Sequence, residues 1–357
     1  GSACGQVACR KAEFTNDCRS SNSPVMSWFS DLTGFDSETP QSVRDHLSVE
    51  GTTLVCHANA QRYEIGRLET PALADLRSVG MANNGSIQLR EIIADVQALH
   101  LDPANAGAVF QVASQFNLPE MVGPAAAPED GVTRYQDDPT QGPACAIACG
   151  AGTIYRNYFH PVRGGVGQSR DRQIDCLENL GQILGNGEHR YWTVQNGYAL
   201  PSVSGLSALD TALKAMSEAQ LDRLRGALRV GVQADTEVTL TNAGHAVTQV
   251  FCSALPVSYA PLGADAWQRF ASLVLEAAYE ATLYVAAQHA QRTGNNRVFL
   301  TMLGGGAFGN RSEWIASAVV RALRIHESCG LDVYLVSYGG PSALAEEVLS
   351  LFGVARR

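Results

Sequence analysis

The chain lacks any uninterrupted apolar run near the ~18 residues that a membrane-spanning helix needs, so no span is expected. It also lacks an excess of positive charge. Its 26 Lys and Arg stand against 35 Asp and Glu, for a formal net charge of −9. Without long Lys/Arg runs, an acidic chain is a poor partner for duplex nucleic acid. None of the nine cysteines forms a C-x-x-C pair. Their odd number and scattered spacing do not make a disulfide framework, so reduced thiols and a cytoplasmic setting are expected. Cys4, Cys9 and Cys18 leave a metal or disulfide open as a minor reading. No leader pattern is visible, and Gly1-Ser2 reads as a tag-cleavage scar. No repeat at a period of 20–50 residues is apparent, and no Pro/Ser linker long enough to divide the chain.

What remains is a chain of 357 residues, 45% hydrophobic and 17% charged. That suits a large core, in one big α/β domain or two smaller ones. Residues 1–50 are polar and weakly patterned. They read as an N-terminal extension, with Trp28-Phe29 and Leu32 available to dock it on residues 51–357.

The strongest local pattern is Arg297–Asn310. Val298, Phe299, Leu300, Met302 and Leu303 read as a buried strand. Gly304-Gly305-Gly306-Ala307-Phe308-Gly309-Asn310 follows at once. Ser312 then reads as an N-cap, and Trp314, Ile315, Ala318, Val319 and Leu323 recur at helical spacing. A second strand over Leu331–Val336 closes a βαβ unit. Glycines at such a turn admit a ligand close to the backbone, and the free N–H groups favour an anion, usually phosphate. The bland reading is a tight strand-to-helix turn and nothing more. A nicotinamide dinucleotide would want an acid at the end of the next strand, but Ser337-Tyr338-Gly339-Gly340 offers none.

Ala108–Phe116 reads as a strand that delivers Ser114, Gln115 and Asn117 to a sheet edge. Glu120 follows, as a site acid or an exposed loop acid. Val122–Pro143 is loop, and Ala144–Asn157 a small-residue helix. Tyr63–Leu68 reads as a strand, and Thr70-Pro71 opens a helix. Ile87–Leu99 and Leu206–Arg225 read as amphipathic helices. Leu228–Leu240 reads as a strand on which Asp235 and Glu237 point the same way. Such a pair can hold a ribose hydroxyl or activate a water; on an exposed edge it would serve solubility. Asp265–Arg292 is a long helix, with Glu276 and Glu280 read as its solvated face.

Several stretches, in order, resemble one family: Phe110–Asn117, Asp138–Pro143, Gln195–Tyr198, Asp235–Glu237, Gln249–Pro256 and Leu303–Asn310. Over roughly residues 50–340 the chain resembles the macrodomain superfamily, in the branch similar to poly(ADP-ribose) glycohydrolases that includes arginine ADP-ribosylhydrolases. The resemblance implies a three-layer α/β/α mixed sheet that binds ADP-ribose between two loops. Gly304, Gly305, Gly306, Ala307, Phe308, Gly309 and Asn310 would cradle the diphosphate, with Phe308 on the distal ribose. Asn117 would touch that ribose, and Asp137–Gly142, with Thr140, Gln141 and Gly142, would form the first loop. Glu120 and Asn196 join the ligand-binding set, and Tyr338 would lie beside the adenine.

The chain departs from the glycohydrolase pattern, since the Gly-Gly-Gly…Gln-Glu-Glu catalytic loop is missing. Catalysis then falls to Asp235 first, with Glu237 and Asp138 next. The implied activity is release of single ADP-ribose groups from protein, arginine first, by hydrolysis at the distal ribose. No cofactor or metal is implied. The partners would be ADP-ribose and ADP-ribosylated protein, with ubiquitin or actin-like proteins as candidate targets, and neither nucleic acid nor membrane. The competing readings are a non-catalytic ADP-ribose reader and a nicotinamide-dependent oxidoreductase.

Overall fold

The computed structural model describes residues 27–260 and 262–354. Cys4, Cys9, Cys18 and Gly1-Ser2 lie outside the described residues. Helices Trp28–Thr33 and Pro40–His46 lead into a three-stranded antiparallel sheet of β1 (Leu47–Glu50), β2 (Thr53–Cys56) and β3 (Gln61–Glu64). Then come β4 (Arg67–Glu69), β5 (Gln88–Ile93), β6 (Val109–Ala113) and a short ribbon, β7 (Pro161–Val162) with β8 (Gly165–Val166). The hairpin β9 (Trp192–Gln195) and β10 (Tyr198–Pro201) precedes β11 (Gly231–Glu237), β12 (Ala246–Cys252), β13 (Arg297–Leu300) and β14 (Asp332–Ser337).

Seven strands make the central sheet, in the order β4-β11-β12-β6-β13-β14-β5. From β12 through β6, β13 and β14 to β5 every pairing is parallel, whereas β11 runs antiparallel to both its neighbours. β6 is buried on both faces. Toward one face Phe110 stacks on His100 at 3.9 Å and on Phe299 at 4.6 Å, and Phe299 on Tyr334 at 4.9 Å. Toward the other, the Gln111 amide donates to Thr282 Oγ1 on helix Gln268–Thr293. That long helix packs with Leu73–Val79, Glu218–Ala227 and Ser312–Ile325, while Val96–Leu101, Gln141–Ala148 and Gly150–Tyr158 cover the Phe110 side. This is the three-layer α/β/α mixed sheet expected of a macrodomain-like chain. Among the described residues one helix, Ala264–Thr293, is long and apolar enough to cross a membrane; 89% of its apolar window is buried in the protein, as in a core helix.

The segment from Trp28 to Glu64 packs into a second apolar cluster. Phe29, Leu32, Val43, Leu54 and Tyr63 meet Tyr135, Ile154 and Tyr158 there. Position 50/51 falls at the turn between β1 and β2, which pair Glu50 with Thr53.

Several expectations change. Ile87–Leu99 is not one helix but edge strand β5 followed by helix Val96–Leu101, which Asp95 caps. Pairing along β14 selects the strand, because β-branched Ile92 and Ile93 suit a sheet as well as a helix stripe. Leu206–Arg225 is two helices, Val203–Lys214 and Glu218–Ala227, since Ser217 forms a new capping box. Tyr63–Leu68 breaks at Gly66 (φ +67°), where β3 passes to β4. Ala144–Asn157 breaks at Cys149, between helices Gln141–Ala148 and Gly150–Tyr158. The helix after Pro71 starts at Leu73 with Ala72 as its cap, and Arg311, not Ser312, caps the later one. Glu280 is no part of a solvated face: it is 1% exposed and salt-bridged by Arg77 and Arg321.

Candidate active site

Parallel strands bring their C-terminal ends to one edge, and ligands of open α/β sheets sit there. Ser114 and Gln115 leave β6 at this edge, Ala254 follows β12, and Thr301–Leu303 follow β13. Together with Glu120–Val122, Asp138 and Thr140–Pro143, Tyr198, Tyr259 and the turn after Leu303, they enclose a cleft of about 270 Å³.

The glycine turn forms one wall. Gly304 (φ +75°) and Gly309 (φ +71°) take the left-handed conformation that favours glycine. Asn310 closes the turn: its N–H donates to the Gly304 carbonyl at 3.0 Å and its side-chain amide to the Leu255 carbonyl at 2.9 Å. Ser258 N–H donates to the Phe308 carbonyl at 3.0 Å, which ties the turn to the chain after β12. Among the described residues, the N–H groups of Gly306, Ala307 and Phe308 meet no protein acceptor. Successive free N–H groups of this kind form a concave anion site without a charged side chain.

Gly306 gives a direct test. A Cβ there meets nothing within 4 Å, and its φ is not in the left-handed region. Gly306→Val should therefore leave the melting temperature unchanged while its side chain occupies the anion's place. ADP-ribose binding, measured by calorimetry, should weaken by about tenfold or more, or 1.4 kcal/mol. Unchanged affinity would place the phosphates elsewhere.

The facing wall is the start of helix Gln141–Ala148, whose N-cap is Thr140. The Gln141 side chain extends the ladder of β6, accepting from Ala113 N–H and donating to the Gln111 carbonyl, both at 2.9 Å. Gly142 must be glycine, because a Cβ would run into the Ala113 carbonyl and the Glu120 carboxyl.

That carboxyl is the most unusual group in the cleft. Glu120 is 5% exposed, and among the described residues its Oε1 has no hydrogen-bond partner. Its backbone N–H donates to the Tyr135 hydroxyl at 3.0 Å. Burial pushes its pKa well above the usual carboxylate range; the Arg156 charge pulls it back and Asp138 pushes it further up. Arg156 is itself buried. It stacks on Phe251 at 3.9 Å and donates to Gln233 and Thr153, with its Nε unpartnered among the described residues. Asp138 is half-buried and accepts from Thr140 N–H at 2.9 Å. Two carboxyls in unlike surroundings can divide acid and base roles. Phe308, Tyr198 and Tyr259 form an aromatic trio, with ring centroids 5.4 to 5.7 Å apart.

The structure thus gathers Glu120, Asp138, Thr140, Gln141, Gly142, Gly304, Gly306, Ala307 and Phe308 in one cleft. Gly305, Gly309 and Asn310 shape its turn. It does not bring in Asp235 or Glu237. β11 runs against the parallel strands and carries both acids to the edge where those strands begin, with Glu237 opposite Ala246, the first residue of β12. They do not share a regular strand face either, because a bulge between Gln233 and Thr236 puts Asp235 at φ +59°. Asp235 is 51% exposed and pairs with Arg292 at 3.1 Å; Glu237 accepts the Glu64 N–H at 2.8 Å.

Asn117 and Asn196 also lie outside the cleft. Both bond to the Gln173 side chain at 2.8 Å, and the Asn196 amide donates to the Pro124 carbonyl. Tyr338 stands 82% exposed after β14, off the cleft lining. Tyr198, Tyr259, Ser114, Gln115 and Thr301 line the cleft without having been singled out as site residues. Only Tyr198, next to the Asn196-Gly197 turn, and Ser114 and Gln115, at a strand's end, gave any signal.

Fold and cleft define an α/β/α protein with an anion-receptive turn and two acids at the carboxyl edge of a mixed sheet. Among solved structures, the chain is similar to the poly(ADP-ribose) glycohydrolase of Thermomonospora curvata. The identity is 11% and the TM-score 0.43, over 88% of this chain and 95% of that one. For the same enzyme bound to the inhibitor ADP-HPD the TM-score is 0.41. The glycohydrolase of Deinococcus radiodurans in complex with ADP-ribose gives 14% identity and a TM-score of 0.40, over 80% and 91% of the two chains. No protein-family model matches the chain, and no curated protein sequence does.

Proposed function

We propose that the protein is an ADP-ribosylhydrolase that frees ADP-ribose from modified protein, with arginine as the favoured linkage and single ADP-ribose groups as the substrate. The observation that carries this reading is the buried Glu120 carboxyl, its Oε1 unpartnered among the described residues, in the same cleft as the N–H groups of Gly306–Phe308, which meet no acceptor among those residues. The amides suit a diphosphate, and the aromatic trio offers faces for a ribose or base. The cleft lining contains two acids and neither Lys nor Arg, which suits a guanidinium leaving group.

In the proposed reaction a water oxygen bonds to C1 of the distal ribose as the bond from C1 to the side-chain nitrogen breaks. Asp138 takes a proton from the water, and neutral Glu120 gives one to the departing nitrogen. The transition state resembles an oxocarbenium ion, whose charge the Asp138 carboxylate also stabilises. This assigns Glu120 and Asp138 the roles that the strand acids Asp235 and Glu237 are too far round the sheet to fill.

Incubation with proteins ADP-ribosylated on arginine, glutamate or serine tests the reading, with free ADP-ribose as readout. Release from arginine is expected to dominate. ADP-ribose binding without release from any of the three would make the protein a reader. Tight NAD binding with weak ADP-ribose binding would sink the reading altogether.

A further inference from the structure

The turn that carries Tyr135 and leads into Asp138 of the cleft is a 3-10 segment, Thr133–Asp137, outside the described strands. Besides its own backbone bonds and helix Gln141–Ala148, it is held by residues far away in sequence. The Glu38 carboxylate, between helices Trp28–Thr33 and Pro40–His46, accepts Val132 N–H at 2.7 Å, Thr133 N–H at 2.9 Å and the Tyr158 hydroxyl at 2.7 Å. Trp28 adds a bond from its indole N–H to the Thr133 carbonyl at 3.1 Å. Gly131 (φ +90°) lets the carboxylate come this close, since a Cβ there would strike Glu38. From this turn the Tyr135 hydroxyl reaches Glu120, accepting its backbone N–H, and Asp138 follows at once.

We propose that Glu38 is a positioning residue of the cleft: its three accepted hydrogen bonds fix the Val132–Asp137 turn, and through Tyr135 and Asp138 that turn fixes the two acids. The N-terminal region is then part of the site's machinery, although none of its described residues lines the cleft. A carboxylate bound by two backbone N–H groups and a phenol forms charge-assisted bonds, stronger than neutral ones. Losing them leaves the turn held by the burial of Val132 and Tyr135 and by its packing on helix Gln141–Ala148, while its first N–H groups open to exchange. The link to binding rests on the ADP-ribose reading of the cleft, whereas the link to the turn does not.

The test compares Glu38→Ala and Glu38→Gln in the full chain, well below their melting temperatures. Hydrogen exchange and calorimetric titration with ADP-ribose are the readouts. In Glu38→Ala, exchange at Val132 and Thr133 should rise about 100-fold while helix Gln268–Thr293 stays as protected as in the wild type. ADP-ribose affinity should fall about tenfold or more. Glutamine keeps one acceptor oxygen but sets an NH2 donor against the other backbone N–H, so Glu38→Gln should fall between Glu38→Ala and the wild type in both readouts. If Glu38→Ala does not fold, Tyr158→Phe removes one bond and keeps the ring, and the same local exchange should rise. The proposal is overturned if the Val132 and Thr133 amides stay protected without the carboxylate. It is equally overturned if they open while affinity is unchanged. Should the wild type fail to bind ADP-ribose, the reading of the cleft falls, and the exchange measurement alone decides the clamp.

Discussion

Glu120→Gln is expected to cut release of ADP-ribose from modified protein by about 10²–10⁴-fold, the span of general acid catalysis, while ADP-ribose still binds. Glutamine keeps the size and the donor–acceptor capacity but carries no transferable proton. The pH profile sharpens the test. Burial pushes the Glu120 pKa up, and Arg156 only partly offsets this, so the neutral form survives to higher pH than in an exposed glutamate. Wild-type kcat/KM should fall as pH rises through that raised value, and the limb should vanish in Glu120→Gln.

Stability should move the other way. The folded-state pKa lies above the ordinary 4.5, so the native state holds the proton more tightly than the unfolded chain does. The contribution of Glu120 is full below pH ~4.5 and is lost as pH rises toward the folded value. At pH 7 the glutamine variant should therefore melt higher than the wild type, with the gap closing in acid. A variant less active yet more stable marks a group held under strain for function. Retained turnover in Glu120→Gln would remove this residue from the chemistry.

How much of this was legible in the chain differs by element. The run Val298–Leu303 followed by three glycines identified both strand and turn, because a buried parallel strand and a glycine turn each leave a local pattern. β6 was legible for the same reason. The direction of β11 was not. A strand with two acids reads the same in either orientation, and only its pairing with β12 shows that Asp235 faces away from the cleft. Residue spacing cannot report a bulge either, so the shared face of Asp235 and Glu237 was an artefact of assuming a regular pleat. Glu120 sits in a turn without periodicity, and its importance comes from Gly142, Tyr135 and Arg156, each brought to it by tertiary folding. Tyr259 and Thr301 are cleft residues for the same reason.

Glu280→Ala is the substitution expected to cost most stability, about 3 kcal/mol, measured by urea unfolding. Glu280 lies inside the helix layer. Its carboxylate takes hydrogen bonds from Arg77, at 2.6 Å, and from Arg321; Arg77 also grips Asp222 through two bonds of 2.9 and 3.0 Å. Four helices meet at these bonds: Leu73–Val79, Glu218–Ala227, Gln268–Thr293 and Ser312–Ile325. Burial alone would raise the Glu280 pKa, but the bonds from Arg77 and Arg321 outweigh it and leave it below 4.5. Its stabilisation is accordingly present above pH ~4.5 and is lost as pH falls through the folded value. The gap between wild type and Glu280→Gln should narrow in acid.

The figure stays at the low end of the range for broken buried pairs, because both arginines are about a quarter exposed and Arg77 keeps Asp222. Replacing the cluster together, Glu280→Leu with Arg77→Met and Arg321→Met, should cost less than Glu280→Ala alone, since no guanidinium is then left beside an empty site. If Glu280→Ala unfolds at the same urea concentration as the wild type, the bonds merely join side chains that water would serve as well. The helices would then be held by the apolar packing of Phe270, Val274 and Ala278 without the cluster's help.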